Sequence, residues 1–405
     1  MPENNDKSTA NPTQRPDTDK IDEREEAQND AIALPSHVAG SGMLDRLVDT
    51  ARAYAAQATA ENTNKAYKKD WEHFTRWCRR RGADPLGGNA PDPQLIGLYI
   101  ADCAAPHDGA PALSAGRTQP LGRPQAALLR PQAATRPLAA ARPLAVSTIE
   151  RRLSGLVWQY QQRGFTLDRK DRHIATVLAG IRRKHARPPV QKEAVLAEDI
   201  RAMVATLPFD LRGLRDRAIL LIGYAGGLRR SEIVCLDHSR DDLGSTDSAP
   251  DSRGWVEIEE EGAILVLRGK TGWREVEIGR GSAEQTCPVH ALEQWLHFAK
   301  IDSGPLFRRT KRDNKRVLED RLSSKHVARL IKQTVLDAGI RSDLPEKERL
   351  ALFSGHSLRA GLASSAEVDE RYIQRHLGHA SAEMTRRYQR RRDRFRVNLT
   401  KAAGL

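Results

Sequence analysis

The chain has 405 residues, 39% hydrophobic and 29% charged, enough to bury a substantial core and to form more than one domain. Its formal net charge is +13, which suits a polyanionic partner, nucleic acid first and an anionic membrane surface second. No stretch approaches the roughly 18 apolar residues of a membrane span, since the run from Ala218 to Leu228 is broken by Gly223, Gly226 and Gly227.

The N-terminus is polar and acidic rather than basic and then apolar, so no signal peptide is expected and a soluble, cytoplasmic chain is. Residues 1–40 have the composition of a disordered acidic tail. Nine acidic and four basic residues give positions 1–30 a net −5, leaving +18 on the rest.

Residues 41–188 carry helical periodicity. Tyr67, Trp71, Phe74 and Cys78 recur on one helix face, with Asn62 or Thr63 as its expected cap. A second helix is expected after Ser147, where Ser147 and Glu150 suggest a capping box and Ile149, Leu153, Leu156, Val157 and Tyr160 form the apolar stripe. Between them, 105–146 is rich in Ala, Pro and Arg, with RPQAA at both 123 and 130 and no acidic residue from 109 to 149. That segment reads as a flexible insertion, the alternative being an arm that touches DNA. Cys78, Cys103, Cys235 and Cys287 have neither zinc spacing nor a disulfide framework, so reduced thiols are expected.

RPPVQKEA at 187–194 reads as a linker, and a second domain, 194–405, follows. It opens with helices, then shows a hairpin with strands at 263–268 and 274–279 around a turn at Gly269 to Gly272. Trp255 to Glu259 suggests a third strand, and helices are expected from there to the end. The fold class is therefore mainly α with a small antiparallel β-sheet, α+β.

The chemistry-bearing residues cluster in this second domain. GGLRRSE places Arg229 just after a helix-breaking glycine pair and Glu232 three residues on, and Lys270 sits at the hairpin turn, between Arg268 and Arg274. GHSLRAG places His356 and Arg359 three apart, on one face if a helix starts there. His379 and Tyr388 would point opposite ways on one continuous helix, but Gly378 can end the first helix and Ser381 can cap the next, letting them converge. Two arginines can clamp a phosphodiester, histidines can add hydrogen bonds, a lysine can protonate a departing oxygen, and a tyrosine can be a covalent nucleophile. No acidic cluster for a metal accompanies them, and no cofactor is expected.

These boxes together resemble the tyrosine recombinase (phage-integrase) family, whose signature is an Arg in a GLRxSE-like stretch, a hairpin Lys, HxxR, LGH and a Tyr shortly after. Arg229, Lys270, His356, Arg359, His379 and Tyr388 occur in that order, and the likeness covers roughly 190–400. The helical 41–188 region is similar to the family's core-binding (SAM-like) DNA-binding domain. The interval from Arg359 to His379 is shorter than the family's usual spacing, and Ala360–Gly361 stands where a His-Thr pair is common.

The resemblance implies two domains closing on duplex DNA. Tyr388 would form a 3′-phosphotyrosine, without metal or ATP. Arg229, Arg359, His356 and His379 would hold the phosphate, Lys270 would act as general acid, and Glu232 would orient the Arg229 region. It also implies a homotetramer on two double-stranded recombination sites, joined through the C-terminal segment, where Phe395 and Leu399 are spaced i, i+4; packing on their own domain is the alternative. The expected setting is a bacterial mobile element, in the cytoplasm at the nucleoid. The arginine-rich run from Arg386 to Arg396 would attract phosphate. Two rival readings stand beside this one: type IB topoisomerase-like relaxation, and a catalytically idle DNA-binding protein.

Overall fold

A computed structural model describes residues 47, 50–51, 54, 60–86, 90–106, 143–188, 191–241, 254–269, 272–379, 381–386 and 400. The acidic tail, nearly all of the Ala/Pro/Arg-rich segment, Lys270, and the C-terminal stretch holding Tyr388, Phe395 and Leu399 lie outside them. The chain divides between residues 188 and 189 into two compact units. It is mostly helical with small antiparallel sheets.

Among the described residues the first unit holds helices α1 (Glu61–Arg80), α2 (Pro93–Ala104), α3 (Val146–Gln162) and α4 (Arg172–His185). Helix α1 packs on α3, and α2 on α4. The apolar periodicity becomes the core: Trp71, Phe74 and Cys78 meet Ile149, Leu153, Leu156 and Tyr160, all buried. Edge-to-face aromatic pairs, Trp71 with Tyr160 at 5.1 Å and Phe74 with Tyr99 at 5.0 Å, sit at its centre.

Both expected caps in this unit fall elsewhere. Helix α1 starts at Glu61 with Ala60 as N-cap and no side-chain cap, so Asn62 and Thr63 lie inside the first turn. Helix α3 starts at Val146 with Ala145 as N-cap, so Ser147 and Glu150 form no capping box. Glu150 instead accepts from Arg182 Nε of α4 at 2.6 Å. A tertiary ion pair has taken the carboxylate that a local cap would have used.

The second unit is built around α6 (Leu211–Ala225), whose residues 215–223 are all buried. Packed on it are α5 (Ala197–Ala205), α8 (Pro288–Ala299) and α11 (Ser357–Ser365). Short α7 (Arg230–Val234) follows α6, and α9 (Ser324–Asp337), α10 (Glu346–Leu352) and α12 (Glu370–Leu377) are further helices of this unit.

Strands β1 (Gly254–Ile258), β2 (Gly262–Gly269) and β3 (Gly272–Gly279) form an antiparallel sheet in that order. Alternate residues Ala263, Leu265 and Leu267 of β2 and Val276 and Ile278 of β3 are buried, the pattern of a sheet with one covered face. Leu267 pairs with Arg274, and Gly269 with Gly272 at the turn. A second hairpin, β4 (Arg308–Thr310) with β5 (Val317–Arg321), replaces helix where the sequence suggested only helices. Its strands are short and mostly charged, so no apolar alternation marked them. All four cysteines are free, as expected of reduced thiols. Among the described residues no helix is long and apolar enough to cross a membrane.

Candidate active site

Arg229 is positioned by the end of α6. Gly226 caps that helix and Gly227 takes a left-handed φ of +55°, turning the chain so that Arg229 becomes the N-cap of α7. A Cβ on residue 227 would lie 2.3 Å from Leu377 Cδ2, so the turn also requires a glycine for space. Glu232, at the third position of α7, accepts the Arg229 backbone N–H at 2.8 Å and the Arg229 guanidinium at 2.5 Å. Burial alone would raise the Glu232 carboxyl, but the Arg229 N–H and the charges of Arg274 and Arg229 hold it below the usual carboxylate range. Glu232 thus contacts Arg229 through both its backbone N–H and its guanidinium.

His356 and Arg359 lie on one turn. Ser354 and Ser357 brace the start of α11, the Ser354 N–H donating to Ser357 Oγ at 3.0 Å, and His356 is the N-cap. Arg359 is fully buried. One guanidinium nitrogen donates to the Gly227 carbonyl at 2.7 Å and another to the Leu377 carbonyl at 2.5 Å. The fork therefore ties the turn before Arg229 to the end of α12, just before His379. The unusual Gly361 has a local cause: a Cβ there would lie 1.7 Å from the Val195 carbonyl oxygen, so α11 seats directly on backbone.

His379 follows the break at Gly378, which has φ +61°. The His379 N–H donates back to the Gln374 carbonyl at 3.1 Å, closing α12, and helix resumes from 382. The imidazole is buried, with Nδ1 2.8 Å from the hydroxyl of Thr385, itself fully buried.

The electrostatics bind these pieces into one cluster. Burial, then the charges of Arg359 and Arg229, pushes the His356 imidazole below its ordinary value. Burial, then Arg359, Arg229, His356 and Arg274, pushes His379 down to about 4. Near neutral pH the cluster thus presents two permanent guanidinium charges and two neutral imidazoles, a set suited to an anion with several oxygens. Arg229, His356, Arg359 and His379 are brought together; Lys270 and Tyr388 are outside the described residues.

Three further residues escaped the sequence reading. Arg274 of β3 donates to Glu232 Oε2 at 3.1 Å and to the His376 carbonyl, joining the sheet to both halves of the cluster. His376 Nε2 lies 2.9 Å from the Ala225 carbonyl, which fixes it as the donor. Thr385 is the third. Of these only Arg274 had a signal, its place beside the hairpin turn, because His376 meets Ala225 across folded distance and Thr385 meets His379 from the helix that resumes at 382.

Residues 193–394, which include every candidate site residue, match the phage integrase family. The chain is 29% identical over 368 residues to an integrase/recombinase XerD homolog of Selenomonas ruminantium, covering 87% of this chain and 89% of that protein. It is 29% identical over 208 residues to the tyrosine recombinase XerA of Pyrococcus furiosus, covering 50% of this chain and 59% of that one. Among solved structures, a lambda integrase dimer bound to a COC' core site is similar with a TM-score of 0.45 and 14% identity, covering 92% of this chain and 81% of that chain. The family match over nearly the whole C-terminal unit, with a recombinase relative aligned along most of the chain, identifies the protein as a member of the phage integrase family, the tyrosine-type site-specific recombinases.

Proposed function

We propose that this recombinase breaks and rejoins duplex DNA by two transesterifications through Tyr388. The Tyr388 oxygen, its proton released to solvent, attacks the scissile phosphorus, the bond to the 5′ oxygen breaks, and Lys270 supplies the proton that this oxygen takes up. The resulting 3′-phosphotyrosine keeps the bond energy, so a 5′-hydroxyl of a partner strand can reverse the step on a new duplex without ATP or metal. Arg229 and Arg359 neutralise the charge of the five-coordinate phosphorus, and His356 and His379 donate hydrogen bonds to its oxygens. Glu232 keeps Arg229 in place.

The observation that carries this reading is the fork of Arg359, which holds the Gly227 carbonyl at 2.7 Å and the Leu377 carbonyl at 2.5 Å and so gathers the Arg229 and His379 boxes around itself. A phosphate-sized anion is the ligand such a cationic, largely buried cluster calls for. The partner in this reading is double-stranded DNA carrying two recombination sites. The assembly is a homotetramer linked by C-terminal segments, with the helical first unit as the core-binding domain, working at the nucleoid of a bacterial cytoplasm on behalf of a mobile element.

The test is covalent trapping on nicked duplexes tiled across the DNA that neighbours its gene, without magnesium, resolved on a denaturing gel. Wild type is expected to give a labelled adduct and Tyr388→Phe none. Binding without an adduct on any duplex would favour an idle DNA-binding protein. An adduct with relaxation of supercoiled DNA and no strand exchange would favour a topoisomerase.

A further inference from the structure

We infer that Thr385 is a positioning residue that locks His379 into the tautomer with its proton on Nε2, making it a neutral hydrogen-bond donor. The inference rests on the phosphoryl-transfer reading of the site only for its consequence; the tautomer itself follows from hydrogen-bond accounting. Thr385 is fully buried, and its hydroxyl lies 2.8 Å from His379 Nδ1. A hydroxyl has one proton to give, and a buried one that gives it to nothing is left with a costly unmet donor. Among the described residues the imidazole nitrogen is the hydroxyl's partner. If Nδ1 carried the proton, Nδ1–H would donate to Oγ and the threonine proton would be stranded.

The satisfied arrangement has Thr385 O–H donating to Nδ1, which puts the histidine proton on Nε2. The charged groups acting on this ring are Arg359, Arg229 and Arg274, with His356 beside them, and all oppose a second proton. The ring is thereby kept as a neutral donor rather than a cation or a base. Thr385 also stands three residues before Tyr388 in the chain, so the same bond anchors the segment leading to the nucleophile to His379.

Sequence spacing carried no sign of this pairing, because His379 lies outside the helix that resumes at 382 and holds Thr385. The alternative arrangement would make Nε2 an acceptor, a poor neighbour for phosphate oxygens. The two tautomers are distinguishable in solution.

The test is two-bond 1H–15N correlation of the imidazoles in the full-length protein labelled with 15N-histidine, with His379→Gln assigning the signal among twelve histidines. Wild type is expected to show Nε2–H and an acceptor Nδ1. Thr385→Val, nearly the same in shape, is expected to populate both tautomers, and Thr385→Ser to retain the wild-type form. In trapping assays Thr385→Val should slow adduct formation on the order of tenfold, the size of one lost hydrogen bond, with DNA affinity unchanged and Thr385→Ser restoring the rate. Nδ1–H in wild type, or a tautomer that Thr385→Val leaves untouched, overturns the inference. If wild type forms no adduct while its signal is Nε2–H and depends on Thr385, the tautomer lock stands and the recombination mechanism is what fails.

Discussion

Arg274 and Arg229 share one carboxylate, since Glu232 accepts Arg229 on Oε1 at 2.5 Å and Arg274 on Oε2 at 3.1 Å. Arg274 and Glu232 are both largely buried, so the carboxylate is the counter-charge of an arginine with little water around it. Glu232→Ala is expected to destabilise the protein by about 3–5 kcal/mol, the cost of leaving a buried charge without its partner. Glu232→Ala combined with Arg274→Met should lose less than the sum of the single changes, measured as a double-mutant cycle in urea. Additivity would mean that the pair carries no coupling.

The Arg359 fork cannot be reproduced by a single ammonium group. Arg359→Lys keeps the charge but can reach only one of the Gly227 and Leu377 carbonyls, which lie on different segments. Adduct formation is expected to fall by about 100-fold or more, with a stability loss of about 1–3 kcal/mol from the unmet carbonyl. Single-turnover trapping and urea unfolding read the two effects separately. A variant with wild-type cleavage would remove Arg359 from the chemistry.

Two glycine-to-alanine changes should have opposite signs. At Gly227, φ is +55° and the new Cβ would lie 2.3 Å from Leu377 Cδ2. Gly227→Ala should therefore cost about 2–5 kcal/mol, from left-handed strain together with overpacking. At Gly180, exposed inside α4, an added Cβ meets nothing within 4 Å. Gly180→Ala should stabilise the first unit by about 0.5–1 kcal/mol through helix propensity alone. Thermal melts of the two variants test both.

His379 makes stability depend on acidity. Its folded pKa, about 4, lies below the ordinary 6.5, so between these values the unfolded chain binds the extra proton and the native one resists it. Stability from this site is fully present above pH 6.5 and declines as pH falls toward 4. His379→Gln should flatten that part of the stability curve, seen as a smaller difference between urea midpoints at pH 6.5 and 4.5 than in wild type. An unchanged slope would assign the acid sensitivity to other groups, His356 among them.

What the sequence by itself determined is what depends on near neighbours. The apolar stripes of α1 and α3, the alternation of β2 and β3, the glycine pair that frees Arg229, the Glu232 contact three residues on, and the break at Gly378 are all local, because helix turns and strand pleats repeat over a few residues. The order of the family's sequence boxes was legible for the same reason: each is a short string. Tertiary structure decided which polar groups those strings meet. Glu150 left its expected cap for Arg182, Gly361 was required by the Val195 carbonyl, and Arg274 became the link between Glu232 and His376. Thr385, in the helix that resumes at 382, found His379, which lies ahead of that helix. Buried donors and acceptors must be satisfied by whatever the fold brings near, and chain distance does not say what that will be.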